Sequence, residues 1–160
     1  MDIVKRNGFE FGEYSPEEGL LEHIISIDSP DQRVKDFFEK VVASFGLATD
    51  KLHFVFEDLK LNQGHALHTH LIPADMQMIV WFPKSEFEGR EFQFGTKENL
   101  KKHTPKLGEL CFMKTNDLDF IHGVTTLETD TIVRTLIISI NCHGRLGEHL
   151  TIDAETLVPI

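Results

Sequence analysis

The sequence is poor in cysteine, in basic charge and in long apolar runs, and each shortage removes a class of function. Of the 160 residues only Cys111 and Cys142 are cysteines. They show no CxxC spacing, and both lie in apolar, strand-like segments where a free thiol behaves as a small hydrophobe, so both are read as core residues, with pairing between them left open. Lys plus Arg number 16 against 26 for Asp plus Glu, a formal charge of −10. With no Lys/Arg-rich run to offset that balance, nucleic acid and anionic membrane are excluded as expected partners. No apolar run approaches the roughly 18 residues needed to span a bilayer, and the N-terminus lacks the basic-then-apolar layout of a signal peptide. The expectation is a soluble, cytoplasmic chain forming one domain over residues 1–160, without repeats, low-complexity segments or a linker.

What is present is a succession of short segments of period two. Gly8 to Tyr14 (GFEFGEY) and Leu20 to Ile27 (LLEHIISI) read as strands. Ser29-Pro30-Asp31 then opens the one convincing helix, in which Val34, Phe37, Phe38, Val41, Val42 and Phe45 recur at helical spacing until Gly46 closes it. From Leu52 the period returns to two, with Leu52, Phe54 and Phe56 on one face and His53 turned to solvent, and Leu59 and Leu61 continue the segment to Asn62-Gln63-Gly64. Met76 to Phe82 (MQMIVWF) reads as a buried strand ended by Pro83. Phe87-Glu88-Gly89 turns into Arg90 to Phe94, Lys97 to Lys106 reads as a polar surface loop with a solvated His103, and Glu109 to Met113 is a further strand. About eight or more short strands with Gly/Pro/Asn/Asp punctuation, against one helix, predict a mainly β fold of the sandwich or jelly-roll type, with its core at about 52–141 and N-terminal elements at 8–46.

Two stretches carry chemistry. Gly64 to Asp75 (GHALHTHLIPAD) holds three histidines and an aspartate, and His68 and His70, two residues apart on an extended chain, project to one side and can approach one point in space. Phe120 to Ile140 (FIHGVTTLETDTIVRTLIISI) reads as two strands, with His122 between Phe120 and Val124 on one face and Arg134 sharing a face with Ile132, Leu136, Ile138 and Ile140. A cation so placed asks for an anion, from the protein or from a ligand. His68, His70, Asp75 and His122 together form a candidate metal set.

Over roughly Leu52 to Asn141 the chain resembles the iron(II)- and 2-oxoglutarate-dependent oxygenases of the double-stranded β-helix fold, in particular the prolyl-hydroxylase-like branch. The resemblance rests on the order of parts: Gly64 before the first histidine, MQMIVWFP, FEGREFQFG in place of an eGGel-like hairpin, PKLGELCFM, then HGV and the later Arg134. It implies that His122 binds iron and that Arg134 holds the distal carboxylate of 2-oxoglutarate as cosubstrate, the substrate being a small molecule or a protein side chain. The departure falls on the first ligand pair, where the family has His-x-Asp or His-x-Glu. Here His68 is followed by His70, and His70 by Ile72, so that Asp75 or a third histidine must complete the set. The same residues also match the pattern HxH-x4-[D/E] plus a distant His of metal-binding cupins, which need no 2-oxoglutarate and would leave Arg134 an ordinary core ion pair. A jelly-roll binding module without catalysis is the third reading.

Overall fold

In the computed structural model, which describes residues 1–60, 63–84, 91–125, 132–145 and 149–160, the described residues form ten strands in two five-stranded antiparallel sheets. The strands are β1 (Phe9–Glu13), β2 (His53–Leu59), β3 (His65–Leu71), β4 (Met76–Phe82), β5 (Phe92–Thr96), β6 (Asn99–His103), β7 (Glu109–Lys114), β8 (Ile121–Val124), β9 (Val133–Ile140) and β10 (Leu150–Asp153). One sheet runs β1-β7-β4-β9-β2 and the other β10-β3-β8-β5-β6. The double-stranded β-helix expected from the sequence is the architecture found.

β4 shows why the first sheet sits where it does. All seven of its residues are buried, as a central strand covered on both faces requires. Met76, Met78, Val80 and Phe82 pack into one apolar cluster with Leu136, Ile138 and Ile140 of β9 and with Val34, Phe38, Val41 and Val42 of the long helix. Ile79 and Trp81 point the other way, into a second cluster between the sheets with Phe9, Phe92, Cys111 and Met113. Each fully buried aliphatic or aromatic side chain contributes on the order of 1.5–3 kcal/mol relative to exposure, so this double cladding makes β4 and β9 the spine of the fold.

The helix expected after Ser29-Pro30-Asp31 spans Gln32–Ser44 and is α3. The Asp31 carboxylate accepts from the Val34 backbone amide at 3.0 Å, satisfying one of the unpaired donors of the first turn. Its other oxygen lies 2.7 Å from His23 Nε2, which gives that histidine a structural role.

Three sequence expectations are corrected. Leu20–Ser26 is a helix, α2, and not a strand: Leu20 and Ile24 meet the core four residues apart, a spacing that LLEHIIS satisfies as well as it satisfies alternation. A further short helix, α1 (Asp2–Asn7), lies against β1 and β7 and buries Val4. The polar stretch taken as a loop contains β6, an edge strand whose exposed Asn-Leu-Lys-Lys-His sequence gives no alternation to read, and His103 is not merely solvated: its Nε2 lies 2.6 Å from Glu109 Oε2. Leu61, Asn62, the Phe87-Glu88-Gly89 turn and Arg90 lie outside the described residues. Cys111 and Cys142 are both free thiols, the first buried and the second partly so. No helix among the described residues is long and apolar enough to cross a membrane.

Candidate metal centre

His68, His70 and His122 are brought together by two neighbouring strands of the second sheet. β3 and β8 run antiparallel with His68 directly opposite His122, and the two-residue spacing within β3 puts His70 on the same side. The register between the strands shifts between His65 and His68, so β3 bulges where the cluster begins. Gly123 makes that bulge possible: a Cβ there would come within 2.8 Å of the His65 carbonyl oxygen and 3.2 Å of the Leu67 nitrogen. The glycine of HGV is thus the clearance for the backbone that aims the first histidines.

One ring nitrogen from each of the three imidazoles lies within 4.8 Å of the others. The ring centroids stand 4.3 Å apart for His68 and His122, 4.9 Å for His68 and His70, and 5.0 Å for His70 and His122. His68 Nδ1 lies 2.6 Å from the Ala66 carbonyl oxygen, which can only accept, so Nδ1 carries the proton and Nε2 presents a lone pair. The Nε2 atoms of His68 and His70 are 3.0 Å apart. Two imidazoles held side by side on one divalent cation, each about 2.1 Å from it, would have nitrogens about 3 Å apart, so the spacing fits a shared ion. The residues present therefore fit a metal.

Burial sets the charge state of the cluster. His122 is held well below the ordinary imidazole range, chiefly by burial and then by His68 and His70 beside it. His70 is pulled down to about 3 by burial and by the neighbouring imidazoles, and His68 is lowered mainly by burial. Neutral imidazole is the ligating form, so the site keeps its donors free of competing protons.

Two cavities meet at this cluster. A narrow one between the sheets is walled by Leu59, Ile79, Trp81, Phe92 and Val133, and a wider one of about 360 Å³ is bordered by Val55, Ile72, Ser139, Cys142 and His149. Glu57, His65 and Gln77 line both. Glu57 Oε1 lies 2.5 Å from His65 Nε2, and the carboxylate acts favourably on a protonated His68, so it is a negative charge close to the three imidazoles.

The remaining expected site residues lie elsewhere. Asp75 is not in the cluster: it is 57% exposed, accepts from Asn141 Nδ2 at 2.6 Å and faces His143. Three residues separate it from the end of β3, and the turn through Pro73 takes it to the start of β4, beyond the cavity. Arg134 is on the opposite face of the first sheet. Val133, Thr135 and Ile137 of β9 face the cavities, and by alternation Arg134 joins Leu136, Ile138 and Ile140 on the helix-packed side. There its guanidinium makes two bonds to Asp58, at 2.7 and 2.8 Å, donates to the Ile24 carbonyl at 2.6 Å and to the Ile27 carbonyl, and lies 4.4 Å over the Phe56 ring. The expected contact with a cosubstrate carboxylate gives way to an internal ion pair. Among the described residues, no Lys or Arg lines either cavity.

Sequence reasoning missed Glu57, His149 and the role of His65. Glu57 shares a strand face with Val55 and with His53, and that face was read as solvent. It is the cavity wall, a reading available only once β2 is known to pair with β9.

No family model matches the chain, and no curated protein sequence matches it. Solved structures do. A prolyl hydroxylase of Trichoplax adhaerens, in complex with a hypoxia inducible factor oxygen degradation domain peptide, aligns with a TM-score of 0.68 at 10% identity over 88% of this chain and 86% of that one. A viral collagen prolyl hydroxylase from Paramecium bursaria Chlorella virus-1, in a 2-oxoglutarate complex, gives 0.63 at 14% identity over 86% and 98%. HygX from Streptomyces hygroscopicus, with nickel and 2-oxoglutarate bound, gives 0.58 at 11% identity over 87% and 84%. At these identities the likeness is one of fold: the chain has the double-stranded β-helix of the iron/2-oxoglutarate oxygenases.

Proposed function

We propose that the chain is an iron(II)-dependent oxygenase acting on a small organic molecule through a centre formed by His68, His70 and His122. The observation that carries this reading is the convergence of three neutral imidazoles, His68 and His122 buried and His70 half-buried, at the junction of two cavities, in a fold whose solved examples include one with nickel and 2-oxoglutarate bound and one with iron bound. Bound there, iron(II) would supply dioxygen activation at the coordination positions that three protein ligands leave open. The chain's own part is to fix the donors and control their surroundings. Ala66 locks the His68 ring, the strand pairing of β3 with β8 sets the spacing, and Leu59, Ile79, Trp81 and Phe92 keep the inner cavity apolar, which limits water at the reacting face. Glu57 offsets part of the charge that three neutral ligands leave uncompensated.

On the cosubstrate, two observations pull apart. The fold likeness favours 2-oxoglutarate. The commitment of Arg134 to Asp58, with no other Lys or Arg among the described lining residues, favours a centre that takes its organic substrate directly, as in the cupin-type alternative. A buried carboxylate left without a charged partner costs several kcal/mol, and this weighs for the second. Anaerobic iron(II) titration followed by 2-oxoglutarate addition tests both levels. One iron per chain is expected, with no visible charge-transfer band when the oxo acid is added. A band would restore the 2-oxoglutarate reading with an anchor other than Arg134, and failure to bind stoichiometric metal would overturn the oxygenase reading.

A further inference from the structure

The third ligand of the cluster has a hydrogen-bond partner that decides whether it can ligate at all. His70 Nδ1 lies 2.7 Å from His149 Nε2, the two rings are near-parallel at 26° with centroids 4.8 Å apart, and His149 stands on the wall of the wider cavity just before β10. His70 Nε2 faces His68 Nε2 at 3.0 Å. His68 already has its proton on Nδ1, bonded to Ala66, so its Nε2 can accept. A neutral His70 therefore has two choices. With its proton on Nε2 it donates to His68, and the cluster closes on itself with neither lone pair available. With its proton on Nδ1 it must find an acceptor on that side, and His149 Nε2 is the one in reach.

We infer that His149 is a positioning residue for the metal centre: by accepting from His70 Nδ1–H it holds His70 in the tautomer that turns the Nε2 lone pair toward the ion shared with His68 and His122. The inference rests on the metal reading above and deepens it. It also explains how a second histidine, two residues after His68 on the same strand face, can serve as a ligand. A carboxylate is a ligand in any orientation, whereas an imidazole with one nitrogen protonated must be told which nitrogen to present. His149 provides that instruction from a separate segment, just before β10 and 79 residues away in sequence.

The test is cobalt(II) titration of the purified full chain, followed by the ligand-field absorption of the bound ion. Three forms are compared: wild type, His149→Leu and His149→Gln. Glutamine offers a carbonyl oxygen that can accept from His70 Nδ1–H, and leucine offers no acceptor. Because His149 is exposed, all three are expected to melt alike. The expected result is at least tenfold weaker cobalt binding for His149→Leu, in the range usual for loss of a ligand's hydrogen-bond partner, with most of the affinity restored by His149→Gln. Equal affinity in all three forms overturns the inference while leaving the metal centre standing, and equal loss in both variants overturns the acceptor role. A wild type that binds no cobalt removes the metal reading itself.

Discussion

Replacing Arg134 by leucine separates a structural cation from a ligand anchor, because the two roles predict different losses. Its side chain is 12% exposed and spends its donors within the protein, on Asp58 and on the Ile24 and Ile27 carbonyls at the end of α2. A guanidinium at a helix C-terminus also meets the negative end of the helix dipole. The Asp58 side chain is 34% exposed, so water takes over much of what it loses and that half of the pair is worth little. The carbonyl of Ile24, a residue with no exposed surface, is less easily rehydrated. An unsatisfied buried acceptor costs about 1–3 kcal/mol, and loss of the second carbonyl bond and of the contact with Phe56 adds about 1–2 kcal/mol. Leucine returns about 1 kcal/mol through apolar burial. The net cost of about 1–4 kcal/mol, centred at about 2–3, corresponds at its centre to a fall of roughly 5–10 °C in melting temperature for a chain of this length. Thermal melts and iron(II) titrations of wild type and Arg134→Leu make the assay, with metal affinity expected to stay within about twofold. A variant that melts with the wild type yet loses measurable 2-oxoglutarate binding would refute the assignment and return Arg134 to the cavity.

Asp75→Ala should leave metal affinity within about twofold of wild type, since its carboxylate is exposed and engaged by Asn141, and a tenfold loss in the same titration would put it back among the ligands. The metal-free protein should lose stability on mild acidification. His68 and His122 have folded pKa values below that of an unfolded histidine, so their contribution is intact above about pH 6.5 and declines as the unfolded chain takes up protons below it. Each such histidine withdraws its contribution progressively as the pH falls below about 6.5, whereas Asp58 and Asp31, whose pKa values are lowered, withdraw their share only below about pH 4. Urea unfolding of metal-free protein at pH 7.5, 6.5 and 5.5 checks this, and a flat profile would contradict the burial of the cluster.

The fold was legible because its strands alternate and its punctuation is plain. Met76 to Phe82, apolar on both faces, announced a central strand, and Asp31 with Gly46 bounded the long helix. Alternation also placed His68 with His70. What it could not do was orient a two-faced strand. β9 carries apolar residues on both sides, so the period puts Arg134 with Leu136 and Ile138 without saying whether that face meets the histidines or the helices. The same ambiguity hid Glu57, on the face of β2 opposite Phe54 and Phe56. Leu20–Ser26 went astray because seven residues are too few to separate a period of 3.6 from one of two. His149 could not have been found by spacing, since nothing within its own segment marks it and only β10 pairing with β3 brings it to His70.

The distribution of support between the two sheets bears on how the centre works. The helices clad the first sheet, and its central strand β4 is buried on both faces, so that sheet draws its shape chiefly from packing. The ligands belong to the other sheet, on β3 and β8, where β3 bulges and is backed on its far side by the four-residue β10. That half carries three imidazoles whose pKa values are lowered chiefly by burial, and they pack without repulsion only while neutral. A cation shared by His68, His70 and His122 would tie β3 to β8 where backbone pairing is interrupted. Binding that occurs only in the folded state adds its free energy to stability, so a bound metal would supply to the second sheet the cohesion that helix packing supplies to the first. The charged pair of Arg134 and Asp58 fits the same division: it fastens α2 to the sheet that needs no metal, and it leaves the cavity face of β9 to Val133, Thr135 and Ile137.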